Sequence, residues 1–111
     1  MKAKANIWIE KEGKVVLSSW RIQLLEAVAE TGSISAAASK MQISYRRAWD
    51  KINESELRLG VKLVETQTGG TGGGGSQLTP EALNYIERFR QFTAGLNGLV
   101  TQRFEEFFLD S

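Results

Sequence analysis

Two adjacent arginines, Arg46 and Arg47, are the side chains of this sequence best suited to hold another molecule. They follow Ser44, a residue type that favours the position just before a helix, so both arginines belong to the first turn of a predicted helix. A guanidinium group in that place can bridge two acceptors of a guanine base or grip a phosphate. The pattern therefore predicts contact with duplex DNA.

The same predicted helix, Tyr45 to Leu59, has two different sides. Small and apolar residues recur at helical spacing on the side expected to be buried: Ala48, Ile52, Ser55 and Leu59. A rotation of about 100° per residue places Arg46, Asp50 and Asn53 on the opposite side of the helix. Arg47 and Trp49 lie on its flanks. The candidates for DNA contact on this helix and its cap are Ser44, Tyr45, Arg46, Arg47, Trp49, Asp50 and Asn53.

The residue types that are absent restrict the chemistry. The chain has no cysteine and no histidine, which excludes disulfides, thiol nucleophiles, imidazole bases and the usual zinc ligands. Glu54 and Glu56 have no catalytic partner in the pattern, and we interpret them as part of a solvated helix surface. We therefore expect neither an enzyme nor a bound metal or cofactor.

Charge is unevenly distributed along the 111 residues, although the net charge is only +1. Residues 40–51 carry four cations and one anion, whereas residues 81–111 carry three cations and five acids. A local excess of positive charge is the electrostatic footprint of a nucleic-acid binder. No apolar run is long enough for a membrane span, and no secretory signal is recognisable, so a cytoplasmic protein is expected.

The elements around the arginine pair follow from turn and cap signals. Residues 6–17 predict a β-hairpin with Gly13 in its turn. Ser18 or Ser19 can cap a helix that continues to about Glu30 and stops at Gly32. A short helix then starts after one of two serines that are further candidates for DNA contact, Ser33 and Ser35. It runs through Ala36 to Ala38 and ends near Met41, before a break at Gln42 and Ile43.

A glycine-rich segment lies between two predicted strands, 61–66 and 76–78. Six of the seven residues from 69 to 75 are glycine. The run lacks the Lys-Ser/Thr that completes a nucleotide-binding loop, so the alternatives are a wing tip against DNA or a flexible loop. The candidate contacts in the wing are Thr68, Gly70, Thr71 and Gly72.

Thr79 and Pro80 open a last predicted helix that reaches about Leu109. Its apolar stripe predicts a homodimer, and three further residues, Tyr85, Phe92 and Leu99, widen the stripe. The predicted seam consists of Ile86, Phe89, Thr93, Leu96, Val100, Phe104 and Phe107. The three tryptophans, Trp8, Trp20 and Trp49, are expected in the core or at its edge, with Trp49 alternatively helping to place the recognition helix.

Together these elements predict a mainly α fold with small β-sheets: a winged helix-turn-helix with an N-terminal β-hairpin, a glycine-rich wing and a long C-terminal dimerisation helix. Residues 1–79 would form the DNA-binding region and residues 80–111 the dimerisation helix of one domain. On pattern alone, two alternatives remain. One is three packed helices with a solvated basic face; the other is a protein-interaction module, a winged fold that dimerises or caps a larger regulator without reading DNA.

Several motifs resemble the N-terminal domain of molybdate-dependent regulators of the ModE family. They are Gly32 to Ala38, Ile43 to Trp49, Leu63 to Thr66, the glycine run at 69–75, and Leu78-Thr79. More loosely, the sequence is similar to the DNA-binding part of LysR-type regulators. The resemblance implies a sequence-specific regulator of transcription, dimeric through its long helix, with a recognition helix at 44–53 and a wing at 67–77. Members of the ModE family continue into molybdate-binding domains, and because this chain ends at Ser111, we expect that it does not itself bind molybdate.

Overall fold

The fold of the chain is taken from a computed structural model that describes residues 1–67 and 75–109. Most of these residues are helical, and the strands form two small antiparallel sheets, as predicted. In chain order the elements are β1 (Trp8–Lys11), β2 (Lys14–Ser18), α1 (Ser19–Thr31), α2 (Ile34–Met41), α3 (Tyr45–Leu59), β3 (Val64–Gln67), β4 (Gly75–Leu78), α4 (Pro80–Thr93) and α5 (Leu96–Phe108). No helix in the described ranges has the length and apolar character that crossing a membrane requires.

Hydroxyl side chains cap four of the helices. Ser18, Ser33, Ser44 and Thr79 each accept a hydrogen bond from the backbone N–H three residues further on, at 3.0–3.1 Å. Such a bond satisfies a donor that the helix itself leaves unpaired. The caps decide the two open alternatives, because Ser18 rather than Ser19 starts α1, and Ser33 rather than Ser35 starts α2.

The predicted N-terminal hairpin is confirmed. Its two-residue turn has positive φ at both Glu12 and Gly13, 54° and 79°, the geometry that matches the twist of tightly connected strands. Val16 and Leu17 of β2 are buried. They pack with Ile22 of α1 and Phe89 of α4, so the hairpin belongs to the core of the fold.

The main core lies where α1, α2 and α3 meet. Leu24 and Val28 of α1 are almost inaccessible to solvent. Ala37 of α2 and Ala48 of α3 are fully buried in the same cluster, where side chains of one methyl group let helices approach closely. Gly32 and Gln42 end α1 and α2 in left-handed conformation, and this conformation makes the turns between the three helices tight.

The predicted C-terminal helical segment begins at Pro80 and reaches Phe108, with a break that the sequence analysis did not predict. Helix α4 ends at Thr93, and α5 starts at Leu96 after Gly95 with φ of 79°. Phe89 of α4 is buried against the hairpin, so this member of the predicted seam packs within its own chain. None of the residues of α5, all of them described, is buried.

Two interpretations from the sequence are wrong. Trp8 and Trp49 are not core residues, because 49% and 44% of their surfaces are exposed, whereas Trp20 packs at the edge of the core. Glu56 is not solvated either, since it is only 9% exposed, and Glu54 is half-buried. Both carboxylates accept bonds from residues distant in sequence, which helical periodicity cannot indicate.

Candidate nucleic-acid interface

The first turns of α3 project cationic side chains into solvent. Arg46 is the most exposed of them, with 86% of its side chain accessible, and its Nε lies 3.6 Å from Oδ1 of Asp50 one turn later. Such an exposed pair contributes little stability. The guanidinium of Arg46 can therefore exchange this carboxylate for an acceptor on another molecule at small cost.

Arg47 occupies a different environment on the flank of α3. Its guanidinium carbon lies 5.7 Å from the centre of the Trp20 ring at the start of α1, within the range of a cation–π contact. The contact restricts the direction in which Arg47 points. The two neighbouring arginines consequently present their charges on different sides of the helix.

A groove of about 360 Å³ separates α3 from the strands of the wing. Tyr45 and Trp49 of α3 line one wall, and Thr66 and Ser76 of β3 and β4 line the other. Ser33, Ile34 and Ser35 at the start of α2 also line it. Four of the predicted contact residues, Ser33, Ser35, Tyr45 and Trp49, therefore share one opening.

The remaining candidates are placed as follows. Asp50 is exposed and Asn53, further along α3, is half-buried. Two lysines counted in the basic segment are already paired, Lys40 with Glu30 and Lys51 with Glu54. The wing candidates Thr68, Gly70, Thr71 and Gly72 lie outside the described residues.

A cluster of ion pairs fastens α3 to the elements behind it. Oε1 of Glu54 accepts a hydrogen bond from Arg21 of α1 at 2.6 Å and forms an ion pair with Arg58, whose Nη1 lies 2.8 Å away. Arg58 also donates to the carbonyl of Val15 in β2 at 2.8 Å. The hydrogen bond from Arg21 lowers the pKa of Glu54; partial burial opposes the shift, and the charges of Arg21, Lys51 and Arg58 add to the lowering. The carboxylate is therefore held ionised between α1, α3 and the hairpin.

Glu56 links α3 to the wing. Its Oε2 accepts from the backbone N–H groups of Leu63 and Val64, at 2.8 and 3.1 Å, and Nζ of Lys62 lies 3.5 Å from Oε1. Both N–H groups are buried, so water has little access to replace the carboxylate as their acceptor. This function was not predicted from the sequence. The position of Glu56 one turn after Ile52 indicates that it lies beside the buried face of α3, but not which groups its carboxylate binds.

Thr79 connects the other end of the wing to α4. Its hydroxyl donates to the carbonyl of Lys62 at 2.7 Å and accepts from Ala82 N–H, while its own N–H bonds to Leu63 O at 3.0 Å. Thr79 is 2% exposed. Thr79 was predicted as a helix cap, and in the structure it also links the start of β3 to the end of β4.

The wing also contacts the turn between α1 and α2. The N–H of Ser76 donates to the carbonyl of Gly32 at 2.7 Å. A Cβ placed on Gly75 would lie 3.1 Å from that same oxygen, a tight contact that the strand or the turn would have to relieve by a small shift. A glycine at position 75 thus allows β4 to approach the helix pair.

A capped helix pair, with an exposed arginine at the start of the second helix and a strand pair beside it, defines a winged helix-turn-helix protein. The family described as "Bacterial regulatory helix-turn-helix protein, lysR family" matches residues 20–83. The chain belongs to this family. The resemblance to LysR-type regulators inferred from the sequence is thereby confirmed.

Particular relatives agree with this assignment. The chain is 43% identical over 89 residues to the DNA-binding transcriptional dual regulator ModE of Escherichia coli K12, an alignment that covers 80% of this chain and 34% of that protein. It is 44% identical over 68 residues to the molybdenum transport protein ModE of Herbaspirillum seropedicae, covering 61% of this chain and 25% of that protein. The chain thus spans about a third or less of the length of these curated relatives.

Among solved structures, the CbnR DBD–DNA complex is similar to this chain with a TM-score of 0.58 and 26% identity, covering 78% of this chain and 93% of that one. The BenM DBD in complex with benA site 1 DNA has a TM-score of 0.59 at 22% identity and supports the fold alone. The predicted fold, a mainly α winged helix-turn-helix, is confirmed.

Proposed function

We propose that this chain binds duplex DNA sequence-specifically and regulates transcription, with α3 as the recognition helix in the major groove. The observation that carries the proposal is the exposed Arg46 in the first turn of a Ser44-capped second helix, within a fold of the LysR family. Its relatives include a protein named as a DNA-binding regulator. As a bacterial regulator of this kind it would act in the cytoplasm.

The two arginines would have different tasks. Arg46, with Asp50 and Asn53 on the same side of α3, is free to meet base edges in the groove. The contact with Trp20 directs Arg47 to the flank of α3. That flank would face the phosphates along the wall of the major groove. Ser33 and Ser35 at the start of α2, together with the wing residues 68–72, would hold the sugar-phosphate backbone.

The C-terminal residues 80–111 would join two copies of the DNA-binding region, residues 1–79. Support comes from the apolar side chains of α5, none of which is buried in the described chain. Leu96, Val100 and Phe104 are half-buried, and Leu99, Phe107 and Phe108 are exposed. Ile86 and Thr93 of α4 would extend the seam at its edge, whereas Phe89 would support it from within. A second copy would supply the apolar surface that one small domain lacks.

The test is a mobility-shift titration with the DNA upstream of the gene for this chain and a scrambled duplex of equal composition, at several salt concentrations. Arg46→Ala should weaken binding to the specific duplex more than to the scrambled one, because a bidentate arginine–guanine pair contributes about 1–3 kcal/mol of discrimination. Arg47→Ala should weaken both alike and reduce the salt slope by about one.

Lys11→Ala is the matched control, because Lys11 is an exposed cation of β1, outside both α3 and the predicted dimer seam. It removes the same charge and should leave both affinities nearly unchanged. Equal affinity of the unmodified protein for both duplexes at every salt concentration would contradict sequence-specific binding. Unchanged binding in both α3 variants would instead show that another face contacts DNA, or that the chain is a protein-interaction module.

A further inference from the structure

Two large aromatic side chains of α3, Tyr45 and Trp49, are only about half covered by the described part of the chain. Tyr45 is 55% exposed and Trp49 is 44% exposed. They are four residues apart, so they lie on neighbouring turns of the same face. Among the described residues, neither the phenol hydroxyl nor the indole N–H has a hydrogen-bond partner in the protein. The pair therefore contributes little to the core and leaves apolar rings in water.

The surroundings of the two rings are polar. Ser33, Ser35 and Ser76 line the same groove. The exposed Arg46 lies in the same turn of α3 as Tyr45, whereas Arg47 is directed towards Trp20. An occupant that meets both the rings and Arg46 must combine negative charge with an apolar group.

The major groove of DNA offers one apolar feature on its base edges, the C5-methyl group of thymine. Four residues of α-helix span about 6 Å along the helix axis, which is close to the roughly 6.8 Å of two base-pair steps on one strand. The two rings are thus spaced to meet methyl groups on nearby base pairs. Arginines between them would contact the neighbouring acceptors and phosphates.

We propose that Tyr45 and Trp49 determine specificity by packing against thymine methyl groups. The inference rests on the proposed function, since it needs α3 to enter the major groove. Each methyl group that leaves water against a ring should change affinity about fourfold, which corresponds to about 0.8 kcal/mol for one buried carbon. The preferred site would consequently contain thymines opposite the first turns of α3.

The experiment compares thymine with deoxyuridine, which lacks only the methyl group. Bound sequences are first selected from a random duplex library with the unmodified protein. The enriched duplex is then synthesised with thymine or with deoxyuridine at single positions, and affinities are measured by fluorescence anisotropy. We expect a loss of about fourfold at specific thymines, and Trp49→Ala or Tyr45→Ala should abolish the difference at the thymine that each ring contacts.

Conservative variants separate this contact from a general effect on folding. Trp49→Phe and Tyr45→Phe retain an apolar ring and should keep most of the thymine preference. Arg46→Ala should weaken binding while leaving the thymine-to-deoxyuridine ratio unchanged. Thermal unfolding of every variant checks that α3 is intact, and because both rings are exposed, at least one alanine variant should keep the melting temperature of the unmodified protein.

The possible failures are distinguishable. Absence of any enriched sequence would overturn the proposed function itself. Enrichment followed by equal affinity for the thymine and deoxyuridine duplexes would overturn the methyl contact alone. If the alanine variants weaken binding to all sequences equally, the rings pack against the sugar-phosphate backbone, and the inference is wrong.

Discussion

Replacing Glu56 by alanine should separate the wing from the recognition helix. In the folded protein its carboxylate accepts from two backbone N–H groups, those of Leu63 and Val64, at 2.8 and 3.1 Å. These two residues are 0% and 5% exposed, so water cannot easily replace the lost acceptor. The start of β3 would then lose its attachment to α3.

The magnitude follows from the two donors left unpaired. Each costs about 1–3 kcal/mol when buried without a partner, and partial rearrangement of β3 would relieve some of that cost. We expect Glu56→Ala to lower the free energy of unfolding by about 3 kcal/mol. For a domain of this size that corresponds to a decrease of roughly 10–20 °C in melting temperature.

Glu56→Gln is the matched control, because an amide oxygen can still accept from Leu63 and Val64. It loses only the negative charge and the contact with Lys62, which is exposed, so we expect a cost of about 1 kcal/mol. Urea unfolding followed by far-ultraviolet circular dichroism measures both variants. If the free energy of unfolding of Glu56→Ala lies within about 0.5 kcal/mol of that of the unmodified protein, the range of an ordinary surface substitution, this carboxylate does not hold the wing.

Three further predictions concern the dimer, acid stability and molybdate. Leu96→Asp combined with Val100→Asp should give monomers by light scattering. The control, Asn97→Asp with Thr101→Asp, adds the same charges at exposed positions of α5 and should remain dimeric. If the Leu96/Val100 variant is still a dimer, the seam lies elsewhere. Because the pKa of Glu54 is lowered in the folded state, its ion pairs stabilise the protein above the ordinary pKa of 4.5. The difference in unfolding free energy between the unmodified protein and Glu54→Gln should therefore disappear as pH falls through the folded-state pKa. A difference that persists at lower pH would contradict this. Isothermal titration of the 111-residue chain should detect no saturable binding of molybdate beyond that of sulfate, and selective binding at micromolar concentrations would contradict that expectation.

Local patterns in the sequence were sufficient to predict the helix-turn-helix. Ser44 and Gly60 mark the ends of α3 because a cap needs only a side chain and the backbone three or four residues away. The periodicity of Ala48 and Ile52 identified the buried side for the same reason. Arg46 could be predicted as exposed because it lies opposite that side.

Contacts between distant segments could not be predicted in this way. Periodicity says which face of a helix is apolar, but not whether its own domain or a second chain covers it, so Phe89 and Leu96 looked equivalent although only Phe89 is buried. The break at Gly95 was hidden because the apolar spacing continues across it. Glu56 looked like a surface residue until the fold brought Leu63 and Val64 to its carboxylate. Caps and helix faces depend on neighbours within one or two turns, so the sequence alone determined them. The groove between α3 and the wing strands and the attachment of the wing through Glu56 depend on which distant segments meet, and only the tertiary structure decided that.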